Sequence, residues 1–247
     1  MGNNMTLKSA KGDVNAYLTR PEKTARGAVI VVHEVWALND HTKDIADRFA
    51  REGYIALAPD LLSDTLDIKK VSPLQVDYFN PEKRNEVQPK LRELMTPMHN
   101  PSFGEDTLTK LDACFEHLYT MKEADQRVAI VGYCFGGTYT YGLAVREPRL
   151  KLALPFYGHA NFNVDELRMI TCPVRAFYGE NDENLISSLP ELKNKMKEAG
   201  VDYEATVYPS CGHAFFNDTN KFAYNEKAAT DAWKRTLDYL QQFVAAH

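Results

Sequence analysis

One cysteine, one aspartate and one histidine in this 247-residue chain occur in an order and in local settings that suit nucleophilic catalysis. Cys134 sits at the apex of Val128-Ala-Ile-Val-Gly-Tyr-Cys-Phe-Gly-Gly137, an apolar run that stops at a glycine, presents the thiol and resumes as a helix. The pattern reads as a nucleophile elbow, a sharp strand-to-helix turn that needs small residues on either side of the nucleophile. Gly132 and Gly136 fill those positions, and Gly137 lets the first helical turn pack closely. A thiol held there faces free N–H groups at the positive end of a helix, which favours thiolate. A free cysteine is more often a small buried hydrophobe, so a catalytic Cys134 needs its partner residues further along the chain.

Those partners are present in two later loops. A strand, Cys172-Pro-Val-Arg-Ala-Phe-Tyr178, has Gly179-Glu-Asn-Asp182 directly after it. The next strand, Tyr203-Glu-Ala-Thr-Val-Tyr208, leads into Pro209-Ser-Cys-Gly-His213. Nucleophile, acid and histidine thus succeed one another in the order that elbow-type enzymes use. An ordinary thiol is only a few per cent ionised at neutral pH and needs a base. His213 is the expected base, and Asp182 is expected to fix its tautomer and stabilise the imidazolium. Glu180 and Glu183 lie close enough in sequence to compete for that role. The backbone N–H groups of Phe135 and of Val35, in the loop after an early strand, are expected to hold the oxyanion. Glu34, beside Val35, opposes thiolate by like charge and can itself hold the thiol proton. Its plainer reading is a surface carboxylate that ends a strand.

Strands alternating with helices supply the frame. Val14-Asn-Ala-Tyr-Leu18 alternates like a half-exposed strand at the antiparallel edge of a sheet, and Ala28-Val-Ile-Val-Val-His33 reads as a strand buried on both faces. Asp40 is expected to cap a helix running to Gly53, and Tyr54-Ile-Ala-Leu-Ala-Pro59 returns as a strand. Between Leu61 and Phe103 the pattern weakens, with Pro73, Pro81, Pro89, Pro97 and Pro101 among short charged segments, as suits a lid or cap. Beyond it come a helix from Glu105 to Tyr119, the elbow, a helix stopped at Glu147-Pro148, a strand Lys151–Tyr157, a helix from Asn184 to Ala199 ending at Gly200, and a closing helix from Lys221 to Ala245. The alternation implies an α/β architecture, mainly a parallel sheet with helices on both faces, and a single domain over 1–247.

With those elements assigned, the chain resembles the dienelactone hydrolase family of α/β-hydrolases along nearly its whole length, from an N-terminal hairpin to the last helix. The residues that carry the resemblance are Gly132-Tyr-Cys-Phe-Gly-Gly137, Gly179-x-x-Asp182, Gly212-His213-Ala-Phe215 and His33-Glu34 at the end of an early strand. It implies an α/β-hydrolase fold, Asp182 rather than its acidic neighbours as the acid, and a Glu34 that moves on substrate binding to help generate the thiolate. One position departs from the pattern. Dienelactone hydrolases proper bind a substrate carboxylate with arginines, one of them four residues after the catalytic histidine, where this chain has Asn217. Asn217 therefore joins Trp36, Tyr78, Phe79 and Arg84 as candidate substrate contacts.

A net charge of −5 with no basic stripe argues against a nucleic-acid partner. No apolar run is long enough to span a bilayer, and Met1 to Lys8 has no signal-peptide core. Met1-Gly2 with Thr6 fits the short myristoylation pattern without a polybasic partner. A cytoplasmic protein with no membrane partner is the expectation, and nothing in the pattern specifies an oligomeric state. The cysteines at 114, 134, 172 and 211 have neither metal spacing nor a disulfide framework. Cys114 falls on a helical apolar stripe, Cys172 is expected to be structural, and Cys211 reads as a loop-packing thiol near His213. Ala37 stands where His-Glu-x-x-His would need its second histidine, so no metal is expected. The reaction expected is hydrolysis of a small carboxylic ester or lactone through a Cys134 thioester, without a cofactor. A thiol-based binding or redox-responsive protein on the same fold is the alternative, with amide hydrolysis behind it.

Overall fold

The chain begins with a hairpin, β1 (Asn3–Ser9) and β2 (Gly12–Thr19), pinned across the strands by Thr6 on Asn15 and Lys8 on Asp13. The computed structural model describes residues 2–245; Met1, Ala246 and His247, which the single-domain expectation includes, lie outside the described residues. β3 (Ala28–Val32) and β4 (Ile55–Pro59) flank α1 (Asp40–Arg51), and every residue of both strands is buried. Uninterrupted apolar sequence is what a strand covered on both faces requires. Three short helices come next: α2 (Ile68–Val71), α3 (Gln75–Phe79) and α4 (Arg84–Leu94). The second half runs α5 (Phe103–Thr120), β5 (Val128–Tyr133), α6 (Phe135–Arg146), β6 (Leu152–Phe156), α7 (Val164–Leu167), β7 (Val174–Gly179), α8 (Glu183–Ala199), β8 (Tyr203–Tyr208) and α9 (Glu226–Phe243).

The strands form one eight-stranded sheet in the order β1-β2-β4-β3-β5-β6-β7-β8. β1 with β2 and β2 with β4 pair antiparallel, and all other neighbours pair parallel. Helices cover both faces, giving the α/β-hydrolase fold: α1 and α9 meet on one face through Phe49 and Trp233, 4.7 Å between ring centroids, while α5 and α6 pack together on the other through Phe103 and Tyr139. No described helix is long and apolar enough to cross a membrane.

Three expectations about boundaries change. Val14–Leu18 is antiparallel but second from the edge; β1, a polar strand whose inward residues are few, takes the outermost place. Asn39, not Asp40, caps α1, because its side chain accepts the Thr42 N–H at 3.0 Å while Asp40 is already helical. The closing helix starts at Glu226 with Asn225 as cap, since Asn220 draws residues 220 to 224 into a turn of their own.

The parallel order aligns the C-terminal ends of β3, β5, β6, β7 and β8 along one rim, where ligands of open α/β sheets bind. The elbow is fixed there by backbone contact. A Cβ on Gly132 would lie 2.1 Å from the Gly136 carbonyl oxygen, and one on Gly136 would lie 2.3 Å from the Val32 oxygen. Both neighbours are backbone, so neither can yield cheaply. Gly136→Ala should therefore destabilise the fold by about 1–3 kcal/mol and lower Tm by roughly 2–12 °C. Gly104→Ala, in the first turn of α5 with only the Tyr139 hydroxyl near, should leave Tm unchanged or raise it. Thermal denaturation of the two variants checks this, and equal effects would contradict it.

Candidate active site

Cys134 has φ 55° and ψ −110°, left-handed backbone in a residue with a side chain. Three bonds hold it so: its N–H donates to the Phe156 carbonyl at 3.0 Å, its carbonyl accepts from Thr138, and the Gly136 N–H reaches the His33 carbonyl at 3.1 Å. The residue directly after it, Phe135, opens α6, so the Phe135 N–H has no partner within the helix. Among the described residues the Val35 N–H likewise meets no backbone carbonyl. Both expected oxyanion donors thus lie at the same rim as the thiol.

Asp182 comes after β7 and His213 after β8, and the two loops are pressed together. A Cβ on Gly179 would lie 2.5 Å from the carbonyl oxygens of Cys211 and Gly212, and Asn181 donates to the Cys211 carbonyl at 2.8 Å. The result is a 2.5 Å bond between His213 Nδ1 and Asp182 Oδ2. Glu180 is drawn elsewhere, accepting the Ser210 N–H at 2.9 Å. Burial pulls the His213 value down, but the charge of Cys134 and the bond and charge of Asp182 prevail, holding His213 well above the ordinary histidine range. The histidine side chain keeps 42 % exposure, so it closes the site on the solvent side. The other cysteines are set apart by chemistry: burial pushes the Cys114 and Cys172 thiols up to about 12, and Cys211 is raised by burial and then by Glu180.

Glu34 is not a surface carboxylate; it is 5 % exposed. Oε2 accepts from Asn217 Nδ2 at 2.7 Å and Oε1 from the Tyr157 hydroxyl at 3.3 Å. Asn217 is completely buried, and its oxygen accepts from the Thr219 N–H and hydroxyl, which fixes which end of the amide faces Glu34. Asn217, expected as a substrate contact, gives one of its two amide N–H groups to Glu34. His33 beneath is a brace. Its Nδ1 faces the Glu34 carbonyl at 2.6 Å and its Nε2 the Leu61 N–H at 3.0 Å, so Nδ1 carries the proton and the ring is neutral. Burial lowers it further from the charged form, against the pull of Asp60.

Trp36 meets Tyr78 and Phe79 of α3 edge-on, at 5.5 and 5.4 Å between centroids, which joins the 61–103 segment to the loop after β3. Arg84 opens α4. It is exposed, stacks over Tyr78 and donates to the Tyr78 carbonyl at 3.0 Å. Sequence reasoning missed Tyr157, whose ring lies 5.0 Å from that of His213. The available signal was its place, an aromatic ending a parallel strand ahead of Gly158. Among the described residues no cluster of His, Cys, Asp and Glu is arranged to hold a metal ion.

Residues 14–244 match the model of the dienelactone hydrolase family. A Saccharolobus solfataricus protein provisionally named a carboxymethylenebutenolidase is 33 % identical over 93 % of this chain and 94 % of its own length. The crystal structure of a Klebsiella pneumoniae protein, provisionally titled a dienelactone hydrolase, superposes with a TM-score of 0.81 at 26 % identity, covering 98 % of this chain and 99 % of that one. A dienelactone hydrolase from Anabaena variabilis shares the fold, with a TM-score of 0.71 at 14 % identity over 99 % and 98 % of the two chains. Fold, sequence and rim agree, and this chain belongs to the dienelactone hydrolase family of hydrolases.

Proposed function

We propose that the protein hydrolyses neutral carboxylic esters or lactones through a Cys134 thioester, with Cys134, His213 and Asp182 acting as a triad. The observation that carries the reading is the left-handed Cys134 at a helix N-terminus beside a histidine whose charged form both Cys134 and Asp182 favour. His213 takes the thiol proton. Cys134 Sγ attacks the carbonyl carbon, the π electrons move to the oxygen, and the N–H groups of Phe135 and Val35 receive that charge. Collapse expels the alkoxide, which His213 protonates. Water then gives a proton to His213 and attacks the thioester, the C–S bond breaks as sulfur takes that proton back from His213, and the acid leaves. In a lactone the alkoxide stays tethered to the acyl group until hydrolysis. The 61–103 segment acts as the cap, with Tyr78 and Phe79 against Trp36 bounding one side of the substrate.

The charges favour neutral substrates. Glu34 has only neutral donors, Asn217 and Tyr157. Among the described residues Arg48 pairs with Asp44 and Asp218, Lys110 pairs with Asp64, and Arg84 donates to the Tyr78 carbonyl. A charge-assisted bond contributes about 1.5–3 kcal/mol against about 1 for a neutral one, so its absence costs on the order of tenfold in selection for an anion. A lactone methyl ester should match or exceed the corresponding carboxylate in kcat/KM. A preference for the anion that weakens with salt would point to an arginine at the site instead.

An activated ester should give a stoichiometric burst and then steady turnover, which separates an acyl-enzyme from a thiol that only binds or senses. Cys134→Ala should abolish both while Tm holds, and Cys114→Ala and Cys172→Ala should keep most activity. Turnover that survives Cys134→Ala would refute the mechanism.

The Asp182–His213 pair also sets a pH dependence of stability. Because His213 is raised when folded, the pair contributes fully below the ordinary histidine value of about 6.5 and is lost as pH rises through the raised value. Asp182 makes no side-chain cap bond to α8, so Asp182→Asn tests the pair alone. Its Tm deficit should be largest near pH 6 and shrink toward pH 10. A deficit that grows with pH would contradict the assignment.

A further inference from the structure

Residues 62–101, between β4 and α5, are bonded almost wholly to themselves. Among the described residues, their backbone bonds stay within the segment or join it to Asp60, Ser102 and Phe103 at its two ends. The pairs Lys70–Asp67 and Lys83–Asp77 are internal, and so is the bond from Arg84 to the Tyr78 carbonyl. One polar link crosses to the body: Lys110, in the middle of α5, donates to Asp64. Everything else that seats the segment is apolar. Leu66, Val71, Phe79 and Leu91 are buried, and Tyr78 and Phe79 meet Trp36 edge-on. Contacts of that kind are non-directional and can part and re-form, unlike a strand bonded into a sheet.

The two ends of the segment meet at one place. A small cavity beside α5 is walled by Asp64 and Thr65 from the first end, Pro97 and Asn100 from the second, and Thr107 and Lys110 of the helix. Lys110 is 5 % exposed, so its ammonium depends on a counter-charge close by. Asp106, the other carboxylate there, is taken by Lys11 at 2.9 Å and by the Ser102 hydroxyl at 2.8 Å. Asp60 Oδ1 accepts the N–H groups of Leu62 and Ser63, which fixes the first end to the close of β4. The segment is therefore held at one edge by charge and hydrogen bonds, and at the opposite edge by the rings on Trp36.

We propose that residues 62–101 are a lid that pivots on the Lys110–Asp64 pair and lifts its Tyr78–Phe79 edge from Trp36 to admit bulky molecules to Cys134. The proposal rests on the reading of the rim as the reactive site. Trp36 directly follows Val35, so the seat of the moving edge lies next to an expected oxyanion donor. Loosening the pivot lets the edge lift more often, although no side chain at the mouth has changed.

Thiol labelling reads the lid without any turnover, because Cys114, Cys172 and Cys211 are buried and Cys134 is not. The readout is the rate with N-pyrenylmaleimide, bulky and uncharged, divided by the rate with iodoacetamide, small and uncharged, which cancels changes in the thiol itself. Lys110→Met should raise that ratio about threefold. High salt, which screens the pair, should raise it in wild type and leave Lys110→Met unmoved. Asp64→Asn, at a half-exposed position, covers a Lys110→Met protein that does not fold, and should act in the same direction. An unchanged ratio in these variants, or a salt response that survives in Lys110→Met, overturns the proposal. Loss of ester turnover with the labelling pattern intact would count against the hydrolytic reading and not against the lid.

Discussion

The close approach of backbone to backbone at Gly132 and Gly136 is the constraint on which the site depends. It lets β5 turn into α6 within one residue and leaves Cys134 the left-handed conformation as its only place. Four more non-glycine residues with positive φ stand at the same rim: Ala37, Tyr157, Ser210 and Ala214. Each is disfavoured by roughly 1–2 kcal/mol, so together they represent a load comparable with the net stability of an ordinary domain. The offset comes from below. β3 to β7 are buried along their whole length, and β3 pairs with β5 without interruption from Ala28–Val128 to Val32–Gly132. Rigid strands with strained ends give the rim its fixed geometry.

Electrostatics at that rim is a contest between desolvation and charge. Burial alone would leave His213 neutral. Instead its charged form is favoured, because the charge of Cys134 and the bond and charge of Asp182 outweigh desolvation. Glu34 adds a buried negative charge that the same site tolerates only because two donors hold it.

The frame and the order of the candidate site residues were legible because they rest on local rules. Glycine spacing announces the elbow, unbroken apolar runs announce the inner strands, and the order Cys134, Asp182, His213 comes from strand order. What the sequence concealed rests on contacts between distant segments. Asn217 meets Glu34 across 183 positions and Tyr157 meets it across 123, and no periodicity encodes such a pairing. The helices between Leu61 and Phe103 are of four, five and eleven residues, too short and too polar for an apolar face to repeat. At α1 the misplaced cap has a simpler cause: Asn39 and Asp40 are both good caps, and only the bond to Thr42 decides between them.

The loop after β8 ties His213 to the Glu34 carboxylate. It carries His213, and four residues on it carries Asn217, whose amide is held in orientation by Thr219. Between them Asn217 N–H returns to the Ala214 carbonyl, making one tight turn. Asp218 then anchors the turn to α1, with Arg48 on one oxygen at 2.5 Å and His41 Nδ1 3.1 Å from the other. Burial would push Asp218 up, but Arg48 prevails and keeps its carboxyl below the ordinary range, so the anchor stays charged. Any displacement of this turn moves the histidine relative to the thiol and the amide relative to Glu34 together. His213 and the amide that holds Glu34 are thus placed by one turn, which Asp218 clamps to α1.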